Sequence, residues 1–190
     1  MQDKKQIRER GRRERDALSD ETRSDYDHRI VARCRDEFDR ADYRSVMVFL
    51  PIERQHEINT WPLVHWLWDL RPEIKVYAPV ASGGRLEARQ ITRKTVLNQN
   101  KWGAAEPADG SELGVDGKLD LILTPLLGFD LAGHRVGYGG GYYDRFFADH
   151  LHTRRIGLAY ECLLVAGGIS AEAHDVKLRA VITERRVYEF

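Results

Sequence analysis

Apolar positions change their period partway along the chain. Residues 3–17 carry few of them, mainly Ile7, Ala17 and Leu18, and predict a charged helix that faces a core with only a narrow stripe. Asp3 is placed to cap its first turn. A second helix is predicted from Ser19, because Tyr26, Ile30, Cys34 and Phe38 recur every four residues. The period then shortens. Residues 45–50 are a β-rich apolar run before Pro51 and predict a buried strand. Thr60 is the expected cap of a helix reaching Leu70, with Pro62 tolerated in its first turn. Residues 74–78 predict a strand stopped by Pro79, and the alternating residues 86–91 an edge strand. Residues 98–118, rich in Gly, Asn, Asp and Pro, read as a long loop. A strand over 120–124, a glycine-punctuated loop over 126–141 and a helix over 142–150 follow. Further strands are expected at 155–160, 179–183 and 187–190.

Strands alternating with helices predict an α/β protein: a mainly parallel sheet flanked by helices on both faces. The expected organisation is a single three-layer domain over 1–190, with a helical part at 1–40 and an α/β core at 45–190. Ligands of such sheets sit outside the carboxyl ends of the strands, which directs attention to the loops after Leu50, Thr124 and Tyr160.

Composition narrows the function classes. Lys plus Arg and Asp plus Glu both number 30, so overall charge points to neither a nucleic acid nor a membrane as partner. Cys34 and Cys162 are too far apart in sequence for a CxxC pair, and no apolar leader follows the basic first turn. No apolar run is long enough to span a bilayer. A reducing, cytoplasmic setting and a monomer acting on small molecules are the expectations. Charge is nevertheless concentrated at the start. Residues 1–15 hold seven basic against three acidic side chains.

The segment richest in chemical signal is Gly133-His-Arg135-Val136-Gly137-Tyr138-Gly139-Gly140-Gly141-Tyr142-Tyr143-Asp144-Arg145. Glycines let backbone N–H groups approach a ligand, and a helix starting directly after them adds a partial positive charge, a combination suited to phosphate. Arg135 and Arg145 flank the loop as possible phosphate partners. A Rossmann fingerprint would need glycine where Tyr142 stands, and no Gly-Lys-Ser/Thr exists for a Walker A loop. Composition alone leaves two readings, a surface loop or a phosphate cradle. Asp144 likewise either stabilises its helix N-terminus or ligates Mg²⁺. His56-Glu57 is no HExxH site, since Thr60 stands where the second His is required.

Taken with four other segments, this run resembles the 5-formyltetrahydrofolate cyclo-ligases, also called methenyltetrahydrofolate synthetases. Lys4-x-x-Ile7-Arg8 is similar to the family's opening. The stretch from Pro51 to Thr60, with Glu57-Ile-Asn-Thr, resembles the segment after its first strand. Trp102-Gly-x-x-Glu106-Pro107 resembles a turn, and His174-Asp175 followed by Val181-Ile-Thr183-Glu184 the C-terminal part. The family's pattern is departed from at Cys162 and at residues 168–170. The resemblance implies an ATP- and Mg²⁺-dependent closure of 5-formyltetrahydrofolate to 5,10-methenyltetrahydrofolate, with ADP and phosphate released and no protein nucleophile. It assigns Lys4, Arg8, Arg135, Val136, Gly137, Tyr138, Gly139, Gly140, Gly141, Tyr142 and Tyr143 to ATP. It assigns Ile52, Glu57, Trp102 and Tyr138 through Tyr142 to the folate, and Asp144 with Asp175 to Mg²⁺. His174 is expected to orient Asp175 or to pack nearby. Arg10, Arg12 and Arg13 are expected to face mostly solvent. The alternatives are an ATP-using paralogue with another substrate on the same scaffold, and a binding module whose basic head contacts RNA or DNA.

Overall fold

The computed structural model describes residues 2–108 and 119–190. Helix α1 runs Lys4–Asp16, and Asp3 caps it by accepting from the amides of Lys5 and Gln6. Helix α2 runs Asp20–Arg40, capped by Ser19, with Ile30, Cys34 and Phe38 buried as their spacing predicts. Strand β1 (Ser45–Val48) is followed by α3 (Trp61–Leu70), β2 (Lys75–Ser82) and β3 (Arg85–Gln90). Then come β4 (Leu97–Gln99), β5 (Ala105–Pro107), β6 (Leu121–Pro125), β7 (Gly128–Phe129) and β8 (Arg135–Val136). Helix α4 (Tyr142–Asp149), β9 (Arg154–Leu158), β10 (Ala180–Ile182) and β11 (Val187–Glu189) complete the order.

The central sheet has the order β11-β10-β9-β6-β1-β2-β3. Its five inner strands are parallel, and β3 and β11 close the two edges antiparallel. Strands β1, β6 and β10 are buried along their whole length, as a sheet covered on both faces requires. The mainly parallel α/β expectation therefore stands.

Four local expectations change. Pro79 does not stop β2. It pairs with Ala88 inside the strand, and it is tolerated because the ladder from β1 ends at Tyr77, so no bond is lost on that side. Thr60 occupies the cap position of α3, but its hydroxyl donates to the Phe49 carbonyl at 2.6 Å. Asn59 Oδ1 accepts from the Trp61 amide instead. The expected loop at 98–118 begins with the β4–β5 hairpin, while residues 109–118 lie outside the described part. The glycine-punctuated segment also contains a hairpin, β7 with β8.

Helix α1 docks in an unusual way. Its buried stripe is Ile7, Gly11 and Arg15, only one of which has an apolar side chain. Ile7 joins Val136, Val165 and Ile169 in a small cluster of its own. A methyl group on Gly11 would lie 2.1 Å from the Leu127 carbonyl oxygen, so glycine alone permits this approach. Gly11→Ala should lower stability by about 1–3 kcal/mol, the usual range for overpacking. Urea unfolding measures it, and an unchanged midpoint would show that α1 is not seated this tightly.

Candidate active site

The chain crosses the sheet in two directions from β1. It passes to β2 on one side and later returns to β6 on the other. Loops leaving the carboxyl ends of β1 and β6 therefore diverge, and a crevice opens between them. A cavity of about 610 Å³ lies there, lined by Phe49 and Leu50 beyond β1, Pro79 and Ala81 of β2, and Pro125 at the end of β6. All sixteen site residues anticipated from the sequence line this one cavity.

Its basic corner comes from α1. Lys4 Nζ sits 2.7 Å from Glu172 Oε2 and 2.7 Å from Asp175 Oδ2. Burial works against the ammonium, but the hydrogen bonds and charges of Asp175 and Glu172 prevail and raise its pKa. For Asp175 burial is likewise outweighed, here by the Glu172 amide and by Lys4, and its pKa falls below the ordinary carboxylate value. His174 is exposed, with Nε2 3.5 Å from Glu172 and 4.0 Å from Asp175. Among the described residues, Glu172, His174 and Asp175 form the one cluster with metal-ligand spacing. Asp144 is not part of that cluster. Its Oδ1 accepts from Arg135 Nη2 at 3.0 Å and from the Val176 amide at 3.2 Å.

The glycine loop forms the cavity's floor and rim. Arg8 Nε donates to the Gly137 carbonyl at 2.9 Å. Gly139 and Gly141 adopt φ of 102° and 65°, where a β-carbon would be strained. Helix α4 begins immediately afterwards at Tyr142, so its unpaired amides open toward this loop. Arg145 is tied to backbone on both sides of it. Its Nη2 donates to the Gly84 and Gly140 carbonyls, tying the loop to the β2–β3 turn. Arg135 is buried and held by Asp144 and the Val176 carbonyl, and burial pulls its pKa down against the pull of Asp144.

Glu57, in the loop after β1, is buried and also lines the cavity. Its Oε2 accepts from the Ile52 amide at 2.8 Å, and its Oε1 accepts from the Tyr138 hydroxyl. Burial raises its pKa, against the lowering influence of Tyr138, the Ile52 amide and Arg15. Trp102 is 38% exposed and meets Tyr142 edge-on at 6.1 Å, while its carbonyl accepts from Arg54. It is thus both a cavity wall and a loop anchor.

Arg15 and Glu172 escaped the sequence reading. Arg15 is 1% exposed and reaches Tyr138, Gln55 and Leu126, although nothing in a run of arginines singles it out. Glu172 joins Asp175, and its place three residues before an aspartate was the available signal. Arg12 is exposed, as expected, and also lines the cavity, whereas Arg10 donates to the Leu164 carbonyl and is half-buried. The loop after Tyr160 first backs α1 through Leu164 and Val165 and then, as expected, reaches the cavity with Glu172, His174 and Asp175. Residues 168–170, where the family pattern is departed from, pair with Gln2 and so anchor the start of the chain.

A sheet with its crevice at the switch point, lined by charged side chains and holding no serine or cysteine nucleophile among its described lining, defines an α/β enzyme for small molecules. Comparison with known proteins makes this specific. The family model for 5-formyltetrahydrofolate cyclo-ligases matches residues 1–184. The 5-formyltetrahydrofolate cyclo-ligase of Escherichia coli K12 is 36% identical over 152 residues, covering 77% of this chain and 81% of its own. That of Haemophilus influenzae is 35% identical over 132 residues, covering 64% and 67%. The fold matches the 5,10-methenyltetrahydrofolate synthetase of Aquifex aeolicus with a TM-score of 0.80 at 24% identity, covering 98% of this chain and 92% of that one. The Mycoplasma pneumoniae synthetase gives 0.77 at 20% identity, covering 95% and 98%. The chain belongs to the 5-formyltetrahydrofolate cyclo-ligase family and is an enzyme of that ligase class. Among the described residues, no helix is long and apolar enough to cross a membrane.

The state of Glu57 yields a signed prediction. A carboxyl whose pKa is raised on folding adds stability fully present below its ordinary value of 4.5, and that stability is lost as pH rises through the folded value. Glu57→Gln has no such loss. Its stability relative to the parent should therefore improve between about pH 5 and about pH 8. Urea unfolding at the two values decides it, and a pH-independent difference would count against a raised pKa.

Proposed function

We propose that this enzyme uses ATP and Mg²⁺ to close 5-formyltetrahydrofolate to 5,10-methenyltetrahydrofolate, releasing ADP and phosphate, and that it works as a cytoplasmic monomer. One observation carries the reading: phosphate-type donors and a pterin-type acceptor line the same cavity. The formyl oxygen attacks the γ-phosphorus and ADP leaves. N10 then attacks the activated formyl carbon, forming the new C–N bond as phosphate departs and N10 gives up its proton. Both nucleophiles belong to the substrate, so the protein's task is to position charges and ligands.

Lys4, Arg8, Arg135 and the backbone from Val136 to Tyr143 bind the triphosphate in this scheme. Ile52, Trp102 and the loop from Tyr138 to Tyr142 enclose the folate. Glu57 accepts N–H bonds from the 2-amino-pyrimidinone edge, and each of its oxygens retains a lone pair beyond those used by Ile52 and Tyr138. For Mg²⁺ the fit rests on hard oxygen donors and on the ammonium of Lys4 already standing between Glu172 and Asp175. Asp175 and Asp144 would hold the ion, with Glu172 beside them. Bound there, it would neutralise charge on the transferred phosphoryl group. A paralogue acting on another substrate would keep the phosphate corner but have no use for Glu57.

Purified enzyme given 5-formyltetrahydrofolate, ATP and Mg²⁺ should build up the near-ultraviolet absorbance of the methenyl product. Folded protein giving no signal would sink the assignment. Glu57→Gln should raise the KM for folate about tenfold, the effect of weakening hydrogen bonds to a charged group, and leave that for ATP within about twofold. Equal changes in both would argue against a pterin contact. Asp144→Asn keeps an acceptor for Arg135 and Val176 and should fold normally, yet lower kcat by about a hundredfold. Near-parental turnover would remove Asp144 from the metal site.

A further inference from the structure

The face of α1 toward the cavity extends beyond its phosphate-directed side chains. At 100° per residue, Lys4, Arg8, Gly11 and Arg15 fall within about 60° of one another. One straight element thus reaches the acidic corner, the glycine loop and, at its far end, the hydroxyl beside Glu57. Arg15 there is fully buried. Its Nη2 donates to the Leu126 carbonyl, and its Nη1 to the Gln55 carbonyl at 3.2 Å and the Tyr138 hydroxyl at 2.9 Å.

The chemistry of these groups fixes the direction of the chain. A guanidinium only donates hydrogen bonds, so the Tyr138 oxygen must accept from Arg15. The Tyr138 hydroxyl proton is then free for one partner, Glu57 Oε1. The Ile52 amide, another obligate donor, occupies Oε2. Both oxygens of Glu57 are therefore held as acceptors, and the carboxyl group cannot rotate without breaking two bonds. Arg15 also clamps the carbonyls of Gln55 and Leu126, which belong to the two loops diverging from β1 and β6. We infer that Arg15 is a positioning residue that, through Tyr138, holds Glu57 as a fixed double acceptor and so makes the site select ligands presenting two adjacent N–H donors. The inference rests on Glu57 contacting the folate.

The test combines Arg15→Lys, which keeps the charge but cannot hold three acceptors in a fork, with Tyr138→Phe, which removes only the hydroxyl of the relay. Each should raise the KM for 5-formyltetrahydrofolate about tenfold, leave the KM for ATP within about twofold, and change kcat little. In a Glu57→Gln background neither should add a further increase, because the acceptor it positions is gone. Circular dichroism and urea unfolding identify a variant that fails to fold. Should Arg15→Lys do so, Tyr138→Phe, which keeps every buried charge, decides the matter alone. Equal rises in both KM values, a change confined to kcat, or full additivity with Glu57→Gln would overturn the inference. Failure of the underlying reading looks different: the folate KM would be unchanged in Glu57→Gln itself, and both proposals would fall. A raised KM in Glu57→Gln with parental values in Arg15→Lys and Tyr138→Phe would sink only this one.

Discussion

The close approach of α1 to the backbone at Leu127 governs the rest of the structure. Helices usually dock through a broad apolar stripe, and this one lacks it. Gly11 instead brings the helix axis against the carbonyl of Leu127, Ile7 plugs a four-residue cluster, and Arg15 enters the interior. Once the helix is seated there, its remaining inward positions have only one place to go. Lys4 meets Glu172 and Asp175, and Arg8 meets Gly137. The basic head of a chain that is neutral overall is thus one wall of the cavity.

Three cations around the cavity stand close to compensating charge. Lys4 has two carboxylates, Arg135 has Asp144, and Arg15 reaches Glu57 through Tyr138. Burying a charge without partners is costly, so each of these cations is met by a carboxylate directly or through a hydroxyl, whereas Arg155 is buried with backbone carbonyls as its hydrogen-bond partners. The pairing also shapes what the cleft can do. A polyanionic ligand entering at the Lys4 corner competes with carboxylates already in place, and a cation arriving with it relieves the competition.

The glycine loop is fixed from three sides rather than left free. Arg8 holds Gly137, Arg145 holds Gly140, and the hairpin of β7 with β8 sets the direction from which the loop leaves. Positive φ at Gly139 and Gly141 lets the chain turn tightly into α4. The alternative of a loose surface loop, open on composition alone, does not describe a segment held in this way.

Local signals settled much of this from the sequence. Period-four spacing in α2, the caps Asp3 and Ser19, the short apolar strands and the glycines before Tyr142 are written within a few residues of where they act. They determined the α/β class, most of the order of elements and the glycine loop, while resemblance to a known family supplied most of the other residues expected around the cavity. Tertiary structure alone decided the partners. Thr60 turned its hydroxyl to Phe49 because β1 ends beside it, and β2 ran through Pro79 because the neighbouring ladder had stopped. Arg15 looks like any surface arginine until Tyr138, 123 residues away, is brought against it. Periodicity and capping report on the few residues around each position, whereas burial of a charge depends on which distant groups the fold brings to satisfy it.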